Sequence, residues 1–343
     1  MKSRELSVVV QGRIEKNLTR KCLKSIRKYL SDAEIILSSW EGSDLADIQE
    51  LYDIIVLNKD PKASIFDDKD NKPNNLNRIL VSSKNAIARA TRKYILRLRS
   101  DLVLKNDNLL KLVDDFEIRN PEVSLFKQRI FAYDIFSIKY DIKKTTRQKM
   151  LFHISDWCYF GLKEDIEEFF NLPLVNEPEF SRYFENNQKT VDDIHSTRLW
   201  KMSPEQYFTS SNAAKVFKDL KFNHYLDVTE KNIDISENFI INNFRVFSAN
   251  EWGIKSLKKQ YKDVRMFTQN PFTYYSIPEQ QKDYKKYCDS SAVIKDYKFI
   301  TALYDLKYFE SLKKHFLRLI YSSPIKKPNE LFSTISYLLK FLF

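Results

Sequence analysis

In the N-terminal part of the chain, short apolar runs that stop on polar residues or glycine alternate with stretches whose apolar positions recur every three to four residues. Leu6-Ser7-Val8-Val9-Val10 reads as a buried strand ended by Gln11-Gly12. Over 19–30 a helix is expected, with Leu18, Cys22, Leu23, Ile26, Tyr29 and Leu30 near one face. Residues 34–40 predict a second strand, stopped by Glu41-Gly42, and 53–57 a third, stopped by Asn58-Lys59-Asp60-Pro61. A polar loop over 62–75 precedes a helix over 76–91, marked by Leu76, Ile79, Leu80, Ser83, Ile87 and Ala90. That helix leads into Tyr94-Ile95-Leu96-Arg97-Leu98-Arg99, a strand ending on Ser100-Asp101. A further strand is expected over 123–127.

The order β-α-β-β-α-β predicts an α/β domain with a mostly parallel sheet and helices on both faces. Right-handed crossovers would collect the strand ends along one edge, where open α/β sheets bind ligands. Asp101, a carboxylate at such a strand end, is therefore the first candidate for chemistry. Beyond residue 130 the pattern is irregular and rich in aromatics, with helices expected over 163–170 and 204–215. Ser203 reads as the cap of the second, with Pro204 in its first turn. Glu164 and Asp165 read as a solvated helix face.

Composition narrows the classes. The 343 residues are 43% hydrophobic, enough for one large domain or two small ones. The net charge of +11 is spread along the chain with no basic arm, which argues against nucleic acid. It fits either a solvated lysine-rich surface or a basic face toward phosphates, anionic polymer or anionic lipid. The three cysteines and four histidines are scattered, so neither a disulfide framework nor a Cys- or His-rich zinc motif is present. Only four glycines occur, far apart, which excludes a P-loop and a GxGxxG fingerprint. The N-terminal apolar run is too short for a signal peptide. A reduced, cytoplasmic setting is expected.

Several blocks carry a resemblance. Asn77-Arg78, a helix through Ala86-Ile87-Ala88-Arg89-Ala90, and then Tyr94 to Asp101 resemble the GT-A glycosyltransferase signature, in which a helix leads to an apolar strand and an Asp-x-Asp. More narrowly, the chain is similar to the WavE family of lipopolysaccharide-synthesis proteins. The similarity lies in Val9-Val10-Gln11-Gly12, Ile35 to Gly42, Asn77-Arg78, Leu98-Arg99-Ser100-Asp101, Ser155-Asp156-Trp157 with Phe160-Gly161-Leu162, and Pro204-Glu205-Gln206-Tyr207. These blocks span about 6–210, and no likeness is evident beyond about 265.

The resemblance implies a GT-A-like, nucleotide-diphospho-sugar transferase fold over 1–265, with a donor half of about 1–130 and an acceptor half of about 131–265. It implies a glycosyltransferase that takes a nucleotide-sugar donor and a lipopolysaccharide-core, capsule or other cell-surface glycan acceptor, free or lipid-linked. Gln11, Gly12, Trp40, Arg78, Arg99 and Asp101 are the expected nucleotide-sugar positions. Asp101 is the expected ligand of a divalent Mn or Mg ion, although Arg99 stands where the first aspartate of the motif belongs. Neutralisation of the diphosphate by Arg78 and Arg99 without metal is the open alternative. An inverting transfer needs a carboxylate base, for which Asp156 is the first candidate and Glu205 the second.

Residues 266–343 read as a helical C-terminal extension. Its last basic, aromatic and apolar segment, 331–343, is too short to span a bilayer but suits a membrane surface or a helix pair docked on the domain. A cytoplasmic protein, held peripherally on the inner face of the cytoplasmic membrane, is the localisation this implies. The competing function is a non-enzymatic α/β module that binds anionic polymer through its basic face.

Overall fold

In the computed structural model, residues 1–67, 72–143, 146–189, 197–258 and 275–294 are described. The chain begins with β1 (Leu6–Gln11), α1 (Lys16–Tyr29), β2 (Glu34–Trp40) and β3 (Ile54–Asn58). A small hairpin, β4 (Ser64–Asp67) and β5 (Lys72–Asn74), precedes α2 (Leu76–Ile87), β6 (Tyr94–Arg99) and β7 (Leu102–Leu104). Next come β8 (Ile130–Tyr133), a second hairpin of β9 (Tyr140–Lys143) and β10 (Thr146–Lys149), β11 (Cys158–Leu162) and α3 (Lys163–Phe170). The described part ends with α4 (Pro204–Val216), α5 (Glu230–Asn243), β12 (Phe244–Phe247), α6 (Ala249–Trp252), β13 (Ile254–Ser256) and α7 (Ile277–Tyr287).

A seven-stranded sheet, ordered β12-β8-β11-β6-β1-β2-β3, forms the centre. Every neighbouring pair is parallel except those made by β11, which runs against both β6 and β8. The strand period of two sorts the core. Val9, Ile36, Ile95 and Tyr159 face one side, where α2, α3, α4 and α5 bring Leu80, Phe169, Phe208 and Phe239. Val8, Val10, Leu37, Leu96 and Leu98 face the other, against Cys22, Leu23 and Ile26 of α1 and Trp252 of α6. Because both faces are covered, the strands read as continuous apolar runs rather than as alternation with polar residues. Burying each large aliphatic side chain contributes about 1.5–3 kcal/mol, so truncating Ile26 to alanine would remove one of the three fully buried apolar side chains, with Cys22 and Leu23, that hold α1 on the sheet.

The expected α/β architecture is the one the chain adopts. The helix after Ser203 is present, and its cap is reciprocal: Gln206 N donates to Ser203 Oγ at 3.3 Å and Ser203 N to Gln206 Oε1 at 3.2 Å. Two expectations fail for one shared reason. Residues 123–127 are turn and coil, not strand. Asn243, at the end of α5, takes their backbone: its Oδ1 accepts from Leu125 N at 2.7 Å and its Nδ2 donates to Val123 O at 2.8 Å. Asp165 holds the following residues, its Oδ1 accepting from Lys127 N at 2.7 Å and its Oδ2 from Gln128 N at 3.0 Å. Asp165 is therefore 4% exposed rather than solvated, while Glu164 does pair with Lys127 at the surface. Side chains occupy the donors and acceptors that a sheet ladder would need.

Within the C-terminal region, α7 packs on α5 and β12. Its Gln280 acts as a substitute strand for the sheet edge. Gln280 Oε1 accepts from Val246 N at 3.0 Å and from Arg245 Nη1 at 2.6 Å, and Nε2 donates to Val246 O at 3.0 Å. That closes an otherwise open edge. Among the described residues no helix is long and apolar enough to cross a membrane. The segment 331–343 expected at a membrane surface lies outside the described residues.

Candidate active site

The strand directions place Gln11-Gly12, Trp40, Asn58 and Arg99-Ser100-Asp101 on one edge of the sheet, together with Asp156-Trp157, which lead into β11. The turns after β1 and β6 are locked together. Gly12 N donates to Ser38 O at 3.1 Å, Ser100 N to Gln11 O at 2.9 Å, and Ser100 Oγ to Arg13 O at 3.0 Å. Gly12 has φ +127°, and a Cβ there would stand 3.1 Å from Ser100 Oγ. Only glycine takes this backbone without strain. Below the turn, the buried Gln11 amide meets the Ser82 hydroxyl of α2 at 2.8 Å. The network continues as Ser38 Oγ donates to Ser82 O at 2.8 Å and Asn58 Nδ2 to Ser38 Oγ at 2.9 Å. Trp40 ends β2 on the same edge, partly exposed.

Arg78 is paired within the fold, with its side chain 31% exposed. Its Nε and Nη2 donate to Asp60 Oδ1 and Oδ2 at 2.7 and 2.6 Å, and Nη1 to Asn75 Oδ1 at 3.2 Å. The carboxylate just past β3 thus offsets a cation placed against the helix dipole.

Arg99 and Asp101 form a fork: Nε donates to Oδ1 at 3.0 Å and Nη2 to Oδ2 at 2.6 Å. The guanidinium also lies 4.5 Å from the centre of the Trp157 ring. Lys258, which no local sequence signal singled out, adds Nζ at 3.5 Å from Asp101 Oδ2 and 2.8 Å from Glu15 Oε1. The Asp101 side chain is only 4% exposed, and both its oxygens serve cations. No group of three or more His, Cys, Asp or Glu side chains suited to a metal occurs among the described residues. As arranged, these residues do not fit a metal site. Arg13 completes the picture at this end. It is exposed, directly follows Gly12, and has no ion-pair partner among the described residues.

Just ahead of β11, Asp156 is 8% exposed, and its carboxylate accepts no hydrogen bond among the described residues. Burial, and then the nearby charge of Glu205, raise its pKa to about 6 against the pull of Arg99 and Arg97. Burial raises Glu205 as well, opposed by its own helix-start amide, the Ser203 hydroxyl and Arg99. Sequence-distant Asp156, Glu205 and Arg99 are thereby brought together. His153, buried and bonded through Nδ1 to Phe136 O at 2.9 Å, is pushed down to about 4 by burial and stays neutral. Burial and like charge that raise neighbouring carboxylates are the arrangement active sites use to tune acids and bases, which makes Asp156 and Glu205 candidates for chemistry.

A family model for WavE lipopolysaccharide synthesis matches residues 6–317. The chain belongs to the WavE family. The match continues past residue 265, where the motif likeness ended, and takes in α7. Among solved structures, this WavE protein is similar to Drosophila β1,4-galactosyltransferase 7. One such structure is a mutant complex with manganese, UDP-Gal and xylobiose, 12% identical over 48% of this chain and 51% of that one, with a TM-score of 0.26. A second, the catalytic domain with xylobiose, matches at 12% identity over the same shares with a TM-score of 0.27. S. aureus TarS matches at 11% identity over 79% of this chain and 48% of that one, with a TM-score of 0.34. The chain spans about half the length of the solved structures it matches. No curated protein matches it.

Proposed function

We propose that this WavE family member is a GT-A-type glycosyltransferase that moves a sugar from a nucleotide-sugar donor to a lipopolysaccharide glycan. One observation carries the reading: two carboxylates, buried Asp156 and half-buried Glu205, converge with Arg99 on the edge where the strand ends also gather Gln11, Gly12 and Trp40. Gln11, Gly12 and Trp40 bind the nucleoside, with the glycine allowing the backbone to come close. Arg13 and Arg99 face the diphosphate and stabilise the charge that builds on it as it leaves.

Asp156 takes the proton. The acceptor hydroxyl oxygen forms a bond to the anomeric carbon, and the bond from that carbon to the donor phosphate breaks. The electron pair leaves with the nucleoside diphosphate, and the hydroxyl proton moves to a carboxylate oxygen of Asp156. A base with a pKa of about 6 is ionised at neutral pH yet strong enough to accept a proton in the transition state. Glu205 orients the acceptor hydroxyls. The test is transfer of labelled sugar from a panel of UDP-, GDP-, ADP- and CMP-sugars to lipopolysaccharide-core saccharides. Wild-type protein transfers from at least one donor and Asp156→Asn does not; transfer at the wild-type rate by Asp156→Asn would remove it from the mechanism.

A further inference from the structure

We propose that Arg97 is a positioning residue for Asp156: from inside the core it fixes the main chain there and joins Arg99 in facing the carboxylate with positive charge. This rests on the reading of Asp156 as the base. Arg97 sits in the middle of β6, between core-facing Ile95 and edge-facing Arg99, and is 0% exposed. Its Nη1 donates to the main-chain carbonyl of Asp156, and its Nε donates to Ser83 Oγ of α2 at 3.1 Å. The guanidinium lies 6.0 Å from the Tyr159 ring centre and 5.4 Å from that of Phe170. Nη2 has no hydrogen-bond partner among the described residues.

A charge this deep is costly unless an opposite charge compensates it. No carboxylate forms an ion pair with Arg97 among the described residues, and the main charge acting in its favour is Asp156. A leucine or methionine would pack against Phe170 and Tyr159 more cheaply, so packing does not explain an arginine here. The benefit falls on Asp156. Its carboxylate is faced by Arg97 and Arg99 from β6, by Glu205 from α4, and by His153 from its own segment. His153 is neutral and Arg99 is shared with Asp101, which leaves Arg97 as the cation without a carboxylate of its own. Through the Asp156 carbonyl it also fixes where β11 begins, and with it the direction of the Asp156 side chain.

The experiment follows the carboxylate directly. The aspartate carboxyl carbons of full-length protein are labelled with ¹³C, Asp156 is assigned by its loss in Asp156→Asn, and its titration midpoint is compared in wild type, Arg97→Lys and Arg97→Met. Arg97→Met is expected to move the midpoint upward by about one pH unit, with the acid limb of the pH–rate profile moving equally. Arg97→Lys keeps the charge but loses the bond to the carbonyl, so a smaller upward shift is expected. A purely structural arginine would lower the melting temperature and the rate at every pH while leaving midpoint and limb in place; that result in either folded variant overturns the proposal. If Arg97→Met does not fold, Arg97→Lys alone decides. The midpoint is read without turnover. An active Asp156→Asn would therefore sink the catalytic reading and leave this test standing.

Discussion

Asp156 makes a prediction that joins stability to function. In the unfolded chain its carboxyl ionises with a pKa of about 3.9, as any solvated aspartate does. In the folded protein burial and Glu205 hold it to about 6. Between those values the folded state binds the extra proton, so stability from this group is present at low pH and declines as pH rises through the window. Two pKa units correspond to nearly 3 kcal/mol, and sharing the effect with Glu205 brings the cost at neutral pH to about 2 kcal/mol. Asp156→Asn keeps the shape and never ionises. It should stabilise the protein by about 2 kcal/mol at pH near 7.5, by close to nothing at pH near 4, and abolish transfer. Urea unfolding followed by tryptophan fluorescence measures this, with the midpoint moving at constant slope. A variant less stable than wild type at pH near 7.5, or a gain of equal size at both pH values, would refute the claim that the native carboxylate is held ionised against its surroundings.

Gly12→Ala should lower stability by about 1–3 kcal/mol and weaken nucleotide binding, because its φ of +127° and the Ser100 hydroxyl both oppose a Cβ; thermal melting and calorimetry read the two effects. Arg13→Ala, at an exposed position, should leave the melting temperature within about a degree and weaken nucleoside diphosphate binding roughly tenfold. Asp101→Asn separates the two ways of holding a diphosphate. With the Arg99 fork as the holder, it costs stability, since hydrogen bonds to charged groups contribute about 1.5–3 kcal/mol, and leaves binding insensitive to Mn²⁺. A wild type that binds only with Mn²⁺, and loses this in Asp101→Asn, would show a metal in place of the fork.

Much of the N-terminal part was legible because local and tertiary signals agree there. The strands 34–40 and 94–99 coincide with β2 and β6, and Gln11-Gly12 and Asp101 fall on the expected edge. The helix over 76–91 ends earlier, at Ile87. What stayed hidden is carried by long-range side-chain contacts. Nothing local to 123–127 shows that Asn243 will take its backbone, and nothing near Arg78 shows that Asp60 will cover it. Lys258 reaches Asp101 from an irregular stretch with no pattern of its own. Arg97 did leave a mark: a charge at a core-facing position of an otherwise apolar strand is a misfit that asks for a partner.

The most direct test is calorimetric titration of the full-length protein with UDP, GDP, ADP and CMP, each with Mn²⁺ and with chelator. Glycosyl transfer from a nucleotide sugar requires that at least one nucleotide bind, at micromolar to millimolar affinity, and that Arg99→Met reduce that binding at least tenfold. Failure of every nucleotide to bind under both conditions would contradict the account.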